Sequence, residues 1–131
     1  MSAKSEFVGG QHIQKLENSL CDRLNVGFAV TCANGTDALQ LSLRALGVGV
    51  GDIVLVPDVT FWATFEAVVN VGASPVTVDV DPVDGGVDLK AFIKAIDAYS
   101  PKAATIAHLY GWGSVHLNEI RQLCRDRGVM L

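Results

Sequence analysis

Short apolar runs alternate with stretches of helical periodicity along the whole chain, and this alternation constrains the fold more than any other feature. The run Asp52–Pro57 is apolar on both faces, which is typical of a central strand in a parallel sheet. Short connections between alternating strands and helices predict an α/β domain with a mostly parallel sheet and helices on both faces. The predicted helices are 10–24, 36–46, 63–71, 88–99 and 117–127, and the other predicted strands are 28–32, 74–80, 103–110 and one beginning in 128–131.

The last residues, "GVML" at Gly128–Leu131, have the apolar pattern of another central strand. A sheet that ended there would leave an unpaired apolar edge, which is unfavourable for a soluble protein. We therefore expect residues 1–131 to be the first part of a longer protein, with self-association covering this edge as the alternative.

Composition excludes several classes of function. The net charge is −4 with no cluster of Lys and Arg, so no nucleic-acid partner is expected. No apolar run reaches the roughly 18 residues of a membrane span, and the start "MSAKSEFVGG" lacks a signal-peptide core, so a cytoplasmic location is expected. The odd number of cysteines and their spacing predict buried, reduced thiols at Cys21, Cys32 and Cys124.

A small polar segment, Asn34-Gly35-Thr36, stands where the first predicted strand becomes an apolar helix, which we expect to be buried on most sides. In an open α/β sheet, ligands bind beyond the carboxyl ends of the strands. The first N–H groups of a helix have no partner within it and bind anions, phosphate above all. The same residues also serve as an ordinary helix cap, and the pattern alone does not separate the two interpretations.

Other candidate sites are weaker. The glycines of "GVGVG" follow a helix and precede a strand, so they indicate a turn rather than a phosphate-binding loop. Four aspartates, Asp79, Asp81, Asp84 and Asp88, do not have EF-hand spacing, and a strand end, a turn and a helix cap account for them without a metal. Phe61 and Trp62 follow the next strand, where at most one of the two aromatic rings is expected to face a ligand.

The chain resembles the N-terminal part of the DegT/DnrJ/EryC1/StrS sugar aminotransferases, a family of fold-type I pyridoxal-phosphate enzymes. The resemblance is carried by "FVGGQHIQKLENSL", "ANGTDALQLSLRALGVGVGDIVLVP", "VTFWATFEAVVNVGASPVTVDVDP" and "AHLYG". It implies that residues 1–131 form the N-terminal part of the large domain. It also implies a parent enzyme that transfers an amino group, from glutamate, to a nucleotide-linked keto-sugar.

The resemblance also implies roles for particular residues. Gly35 and Thr36 would hold the phosphate of pyridoxal 5'-phosphate, and Phe61 would stack on its pyridine ring. Trp62 would pack against the protein. The segment "HLYG", His108–Gly111, would line the site, with His108 as a structural residue rather than one that transfers a proton.

No catalytic residue is expected in this chain. Pyridoxal chemistry needs a lysine that forms a Schiff base and a carboxylate beside the pyridine nitrogen, and the family carries both beyond the segment present here. The five lysines, Lys4, Lys15, Lys90, Lys94 and Lys102, all occupy polar or solvated positions in the sequence pattern. The chain is therefore expected not to transaminate by itself.

Three alternatives remain open from the sequence. The first is a sugar dehydratase of the same fold, the second a non-catalytic binding or scaffold module, and the third a nucleotide-binding domain of the Rossmann type with Asp58 at a strand end. Self-association is expected from the apolar sheet edge and from the family's use of a dimer interface to build its site.

Overall fold

The computed structural model describes residues 10–112 and 116–131. The chain divides into two compact units, residues 1–33 and 34–131, which are described separately. The helices are α1 (Gln11–Leu24), α2 (Gly35–Ala45), α3 (Trp62–Asn70), α4 (Leu89–Tyr99) and α5 (Leu117–Arg127), the strands are β1 (Ile53–Pro57), β2 (Ser74–Val78) and β3 (Ala103–Ala104), and a 3-10 turn spans Leu109–Gly111.

The first unit contains α1 and the segment 28–32, which has no regular secondary structure. The helix confirms the predicted periodicity and ends at Leu24. The next residue, Asn25, caps it in a left-handed conformation and donates its N–H to the carbonyl of Cys21. The predicted strand at 28–32 is wrong. The backbone N–H of Thr31 bonds to the carboxylate of Glu17 at 2.9 Å, and the described residues provide no neighbouring strand for this segment.

The second unit is built on a parallel sheet of three strands in the order β2-β1-β3. Strand β1 lies in the middle, with Leu55 opposite Val76 of β2 and Ala104 of β3. The sheet and its helices confirm the predicted α/β class.

Side chains of β1 alternate between two apolar cores on the two faces of the sheet. Leu55 packs in one core with Phe92 of α4 and Ile120 of α5. Val54 and Val56 pack in the other core, together with residues of α2 and α3. The alternation follows from the period of two along a strand and fixes which helices cover which face.

Several predicted bounds require correction. The strand predicted at 103–110 is shorter and ends at Ala104. The N–H of Thr105 still donates to the carbonyl of Leu55, and the chain then turns away from the sheet. The strand expected to begin in 128–131 pairs as predicted, through a parallel bridge between Ala103 and Met130. Helix α2 was expected to be buried on most sides, but Leu43 is its one buried residue.

The cysteines also differ from expectation. Cys124 is buried in the core, whereas Cys21 is half-buried and Cys32 is exposed. Both of the latter belong to the first unit, where α1 contributes no buried residue.

Within the described ranges 10–112 and 116–131, no helix combines the length and apolar character required to cross a membrane.

Candidate functional site

An open cavity of about 540 Å³ lies at the carboxyl end of the sheet in the second unit. Three segments line it: the start of α2, the start of α3 and the loop that follows β3. All three follow sheet strands or open helices, which is where α/β folds bind ligands. The predicted residues Gly35, Thr36 and Phe61 all line this one cavity.

The start of α2 presents unpaired backbone donors to the cavity. Asn34 is the N-cap, and its side-chain oxygen accepts the N–H of Asp37 at 2.9 Å. The cap therefore satisfies the third amide of the helix, and no hydrogen bond to the amides of Gly35 or Thr36 is found in the described part of the chain. The helix is both capped and open to an anion, so the two sequence interpretations are compatible.

The space beside Gly35 is open. A Cβ atom built on this glycine meets no atom within 4 Å in the structure, so the backbone is accessible from the cavity. Thr36 adds a hydroxyl donor to the two amides. The carboxylate of Asp37 would repel an anion, but it accepts a hydrogen bond from the side-chain amide of Asn34 at 3.1 Å. Asp37 is not among the residues that line the cavity.

The start of α3 contributes an aromatic ring and two hydroxyls. Phe61 is the N-cap residue of α3 and lines the cavity with an exposed side chain. Trp62 does not line it and instead stacks on Phe65, with ring centroids 5.2 Å apart. The hydroxyls of Thr60 and Thr64 lie 2.9 Å apart at the cavity, a pair that the sequence analysis missed.

The loop after β3 supplies Ala107 to Tyr110. The Nδ1 atom of His108 lies 3.3 Å from the carbonyl oxygen of Trp112, which can only accept, so His108 donates to the loop backbone. This contact fits the structural role expected for His108. Tyr110 lines the cavity as well; it belongs to the segment "HLYG" that the resemblance placed at the site, although no role was expected for it individually.

In the part of the chain that the structure describes, the cavity lining contains no Lys, Arg, Asp or Glu. An anion bound there is therefore held by amides and hydroxyls of this chain. Lys102 instead pairs with Asp52 at 2.8 Å. That lysine and the donated N–H of Gly49 lower the pKa of the Asp52 carboxyl below its usual value.

The four aspartates of the sequence analysis bind backbone amides. Each accepts the N–H of a nearby residue, and Asp88 caps α4 as predicted, by accepting from Ala91 at 2.6 Å. In the described ranges, no group of three His, Cys, Asp or Glu side chains is placed to hold a metal ion. The segment "GVGVG" forms the turn after α2, closed by the amides of Gly47 and Val48.

Comparison with known proteins assigns this arrangement to a family. The profile of the DegT/DnrJ/EryC1/StrS aminotransferase family matches residues 2–131, and the chain belongs to this family. The assignment replaces the Rossmann-type alternative.

Individual relatives agree with the family profile. The chain is 42% identical over 106 residues to UDP-2-acetamido-2-deoxy-3-oxo-D-glucuronate aminotransferase of Pseudomonas aeruginosa, which covers 81% of this chain and 29% of that protein. A DegT DnrJ EryC1 StrS aminotransferase from Brucella abortus superposes with a TM-score of 0.88 at 36% identity, covering 96% of this chain and 35% of its own. NtdA from Bacillus subtilis, solved with the bound cofactor PMP, superposes with a TM-score of 0.85 at 32% identity, covering 92% and 27%.

The chain thus spans about 29% of the length of this curated relative. The fold and the family are established over this length.

Proposed function

We propose that the cavity is the phosphate and ring site for pyridoxal 5'-phosphate in a sugar aminotransferase, to which residues 1–131 contribute the N-terminal part of the large domain. The observation that carries the proposal is the convergence of Gly35, Thr36 and Phe61 on one cavity. The cofactor PMP named for the similar NtdA structure supports the choice of ligand.

The residues present fit the phosphate group. Two open amides at the positive end of α2, the Thr36 hydroxyl and the open space at Gly35 provide donors and room for a dianion. A hydrogen bond to a charged group contributes about 1.5–3 kcal/mol, so several such bonds anchor a phosphate without a lysine or arginine from this chain.

The residues also fit a flat aromatic ring. Phe61 is exposed at the cavity and its ring is free of the stacking that occupies Trp62 and Phe65. Aromatic pairs contribute about 0.5–1.5 kcal/mol beyond the area they bury. When bound, the cofactor acts as an electron sink in amino transfer, while this chain binds and orients it.

The proposed catalytic set is incomplete in this chain. Of the described lysines, Lys15, Lys90, Lys94 and Lys102, none lines the cavity; Lys4 lies outside the described residues. We propose that residues 1–131 bind the cofactor phosphate and ring, and that amino transfer needs groups that these residues do not supply. We propose a nucleotide-linked keto-sugar as the substrate class, which the activity of the Pseudomonas relative supports, and glutamate as the amino donor, which the resemblance implies.

Two probes separate the two halves of the site. Pyridoxal 5'-phosphate tests both halves and inorganic phosphate tests the α2 start alone, each titrated by equilibrium dialysis. Thr36→Val is expected to lower the affinity for both ligands by roughly 10- to 100-fold, the equivalent of one hydrogen bond to a charged group. Phe61→Ala is expected to weaken pyridoxal phosphate about 2- to 10-fold and to leave inorganic phosphate unchanged.

Matched variants control for general effects of the substitutions. Thr77→Val removes an exposed hydroxyl from β2, and Phe28→Ala removes an exposed ring from the first unit; neither residue lines the cavity. Both controls should bind like wild type. Failure of the wild-type chain to bind either probe, or equal effects of a site variant and its control, would contradict the proposed site.

Two alternatives share the cavity. A sugar dehydratase of the same fold would bind the same cofactor at the same residues, and it is distinguished by the product formed when the complete enzyme acts on a keto-sugar. A scaffold module would bind neither probe. The proposed aminotransferase is favoured over the scaffold because the open amides, the ring and the hydroxyls meet at one cavity.

We also propose that the protein self-associates. Exposed apolar side chains, among them Val30 and Val50, support this proposal, since such groups are favourably buried against a partner. Light scattering of the purified chain tests it, and a monodisperse monomer would contradict it.

A further inference from the structure

Tyr110 stands out within the loop that lines the cavity. Its backbone has φ 55° and ψ 21°, the left-handed region that residues other than glycine seldom adopt. Its side chain is 86% exposed, although an aromatic ring is favourably buried. An unfavourable backbone conformation that presents an exposed ring to a cavity is typical of a ligand-contacting residue.

The neighbouring backbone holds Tyr110 in this conformation. The N–H of Gly111 donates to the carbonyl of His108 at 3.0 Å, and the N–H of Trp112 donates to the carbonyl of Leu109 at 3.0 Å. The ring of His108 adds a third bond, to the carbonyl of Trp112. The loop from 108 to 112 is therefore closed on itself around Tyr110.

Trp112 supports the tyrosine ring from the side. The two rings meet edge to face, with centroids 6.0 Å apart and an interplanar angle of 65°. This is a favoured arrangement for an aromatic pair and restricts the rotamers of both residues.

Trp112 in turn rests on the turn 81–86, which connects β2 to α4. A Cβ atom added to Gly85 would lie 3.2 Å from Cε3 of Trp112, so a side chain at this position would require the ring to shift by a few tenths of an ångström. The turn is closed by the N–H of Asp81 donating to the carbonyl of Gly86 at 2.7 Å, and Asp84 accepts the N–H of Gly86 at 2.8 Å. The acidic turn thus forms a fixed support for the indole.

We propose that Tyr110 is a specificity-determining residue that contacts the sugar of the substrate, and that Trp112, seated on Gly85, positions it. This inference rests on the proposed function. Phe61 already supplies a ring for the flat cofactor, whereas Tyr110 offers an apolar face together with a hydroxyl. A sugar ring presents the matching combination of apolar C–H groups and hydroxyls.

The positioning step is tested without any ligand. The chain has two tryptophans, so Trp62→Phe leaves Trp112 as the sole indole and makes its fluorescence specific. In that background, Gly85→Ala is expected to raise the acrylamide quenching constant of Trp112 by at least about 1.5-fold, since the added methyl group displaces the ring.

Gly128→Ala is the matched control. Gly128 has φ +67° against +68° for Gly85, so both substitutions carry the same backbone cost, but a Cβ at Gly128 meets no atom within 4 Å. Unfolding curves of both variants confirm that they are folded. Equal quenching of Trp112 in the two variants would overturn the positioning step.

The specificity step is tested with UDP-N-acetylglucosamine as the probe, added to the full chain saturated with pyridoxal phosphate. Tyr110→Ala is expected to lower the affinity for UDP-N-acetylglucosamine about tenfold. The affinity for pyridoxal phosphate should stay within about twofold of wild type. Gly85→Ala should weaken the probe in the same direction, whereas Tyr99→Ala, on the exposed end of α4, should not.

The outcomes distinguish this inference from the proposed function. If the wild-type chain does not bind pyridoxal phosphate, the proposed function is contradicted. The ligand-free comparison of Gly85→Ala with Gly128→Ala still decides the positioning step. The specificity role alone is overturned if pyridoxal phosphate binds normally but the affinity for UDP-N-acetylglucosamine is the same in wild type and Tyr110→Ala. It is also overturned if pyridoxal phosphate binds normally and UDP-N-acetylglucosamine does not bind.

Discussion

The side chains of Lys102 and Asp52 form an ion pair of 2.8 Å that joins the residue before β3 to the residue before β1. The ammonium group also donates to the carbonyl of Gly47 at 2.6 Å, and the carboxylate accepts the N–H of Gly49 at 2.9 Å. The pair therefore ties the turn after α2 to two neighbouring strands, at the amino end of the sheet.

This ion pair predicts a pH-dependent contribution to stability. The pKa of Asp52 is lowered in the folded state, first by the hydrogen bond from Lys102 and then by the amide of Gly49. A lowered folded-state pKa contributes stability that is present above the unfolded value, about 3.9, and is lost as the pH falls through the lower folded value.

Lys102→Met should therefore reduce the free energy of unfolding at pH 7 and have a diminishing effect below about pH 4. Chemical denaturation at several pH values measures the difference, which should also shrink at high salt because the pair is partly exposed. Lys94→Met is the control, because Lys94 of α4 forms no ion pair within the described ranges. A Lys102→Met effect that stayed constant across this pH range would contradict the electrostatic account.

Gly35 allows function to be separated from stability. A methyl group at this position meets no protein atom within 4 Å, so Gly35→Ala should leave the free energy of unfolding unchanged or raise it by up to about 1 kcal/mol. The same methyl group enters the space proposed for the phosphate, so binding of pyridoxal 5'-phosphate should weaken at least about tenfold, the equivalent of one lost hydrogen bond to a charged group.

Gly27→Ala is the matched control for Gly35→Ala. Gly27 also has no atom within 4 Å of a built Cβ, and it belongs to the first unit and is not among the residues that line the cavity. Denaturation and dialysis of both variants make the comparison. Unchanged cofactor binding in Gly35→Ala would place the phosphate elsewhere.

The helices could be predicted from the sequence because their signals are local. Periodicity placed all five with ends correct to within about one residue, and the cap of α4 by Asp88 was visible as an aspartate before an apolar run. The strands β1 and β2 were predicted because each carries its own apolar pattern.

The strand predictions at 28–32 and 103–110 were incorrect because strand pairing is not a local signal. A segment becomes a strand only when a neighbour accepts and donates its hydrogen bonds, and that neighbour is not encoded in the segment itself. Thr31 bonds to Glu17 instead, and the chain after Thr105 leaves the sheet to form the loop at the cavity.

The candidate site was predictable in part. Gly35, Thr36 and Phe61 could be singled out because they follow strands and open helices, and they converge on one cavity. For Tyr110 the sequence indicated the segment "HLYG" but not the exposed ring, because the ring packs on Trp112, which lies against Gly85, 25 residues before Tyr110 in the sequence.

Two isoleucines test the position of the core. Ile120 of α5 is completely buried beside Phe92, whereas Ile93 of α4 is 36% exposed. Ile120→Val should lower the free energy of unfolding by about 0.5–1.5 kcal/mol, because the lost methyl group leaves a cavity that the core does not fill. Ile93→Val should cost clearly less, as measured by urea denaturation of both variants, and equal losses would contradict the assigned packing.

The cysteines should react with thiol reagents in an order set by burial. Cys124 lies in the core and burial raises the pKa of its thiol, so the reactive thiolate is scarce and access is blocked. Cys32 is exposed and should react with an aromatic disulfide reagent at least about tenfold faster than Cys124 in the native state. Cys32→Ala should remove the fast phase, whereas Cys124→Ala should remove one equivalent that is seen only after unfolding. Rapid labelling of Cys124 in the native protein would show that the core between α4 and α5 opens easily, contrary to the packing of Ile120 and Cys124 around Phe92.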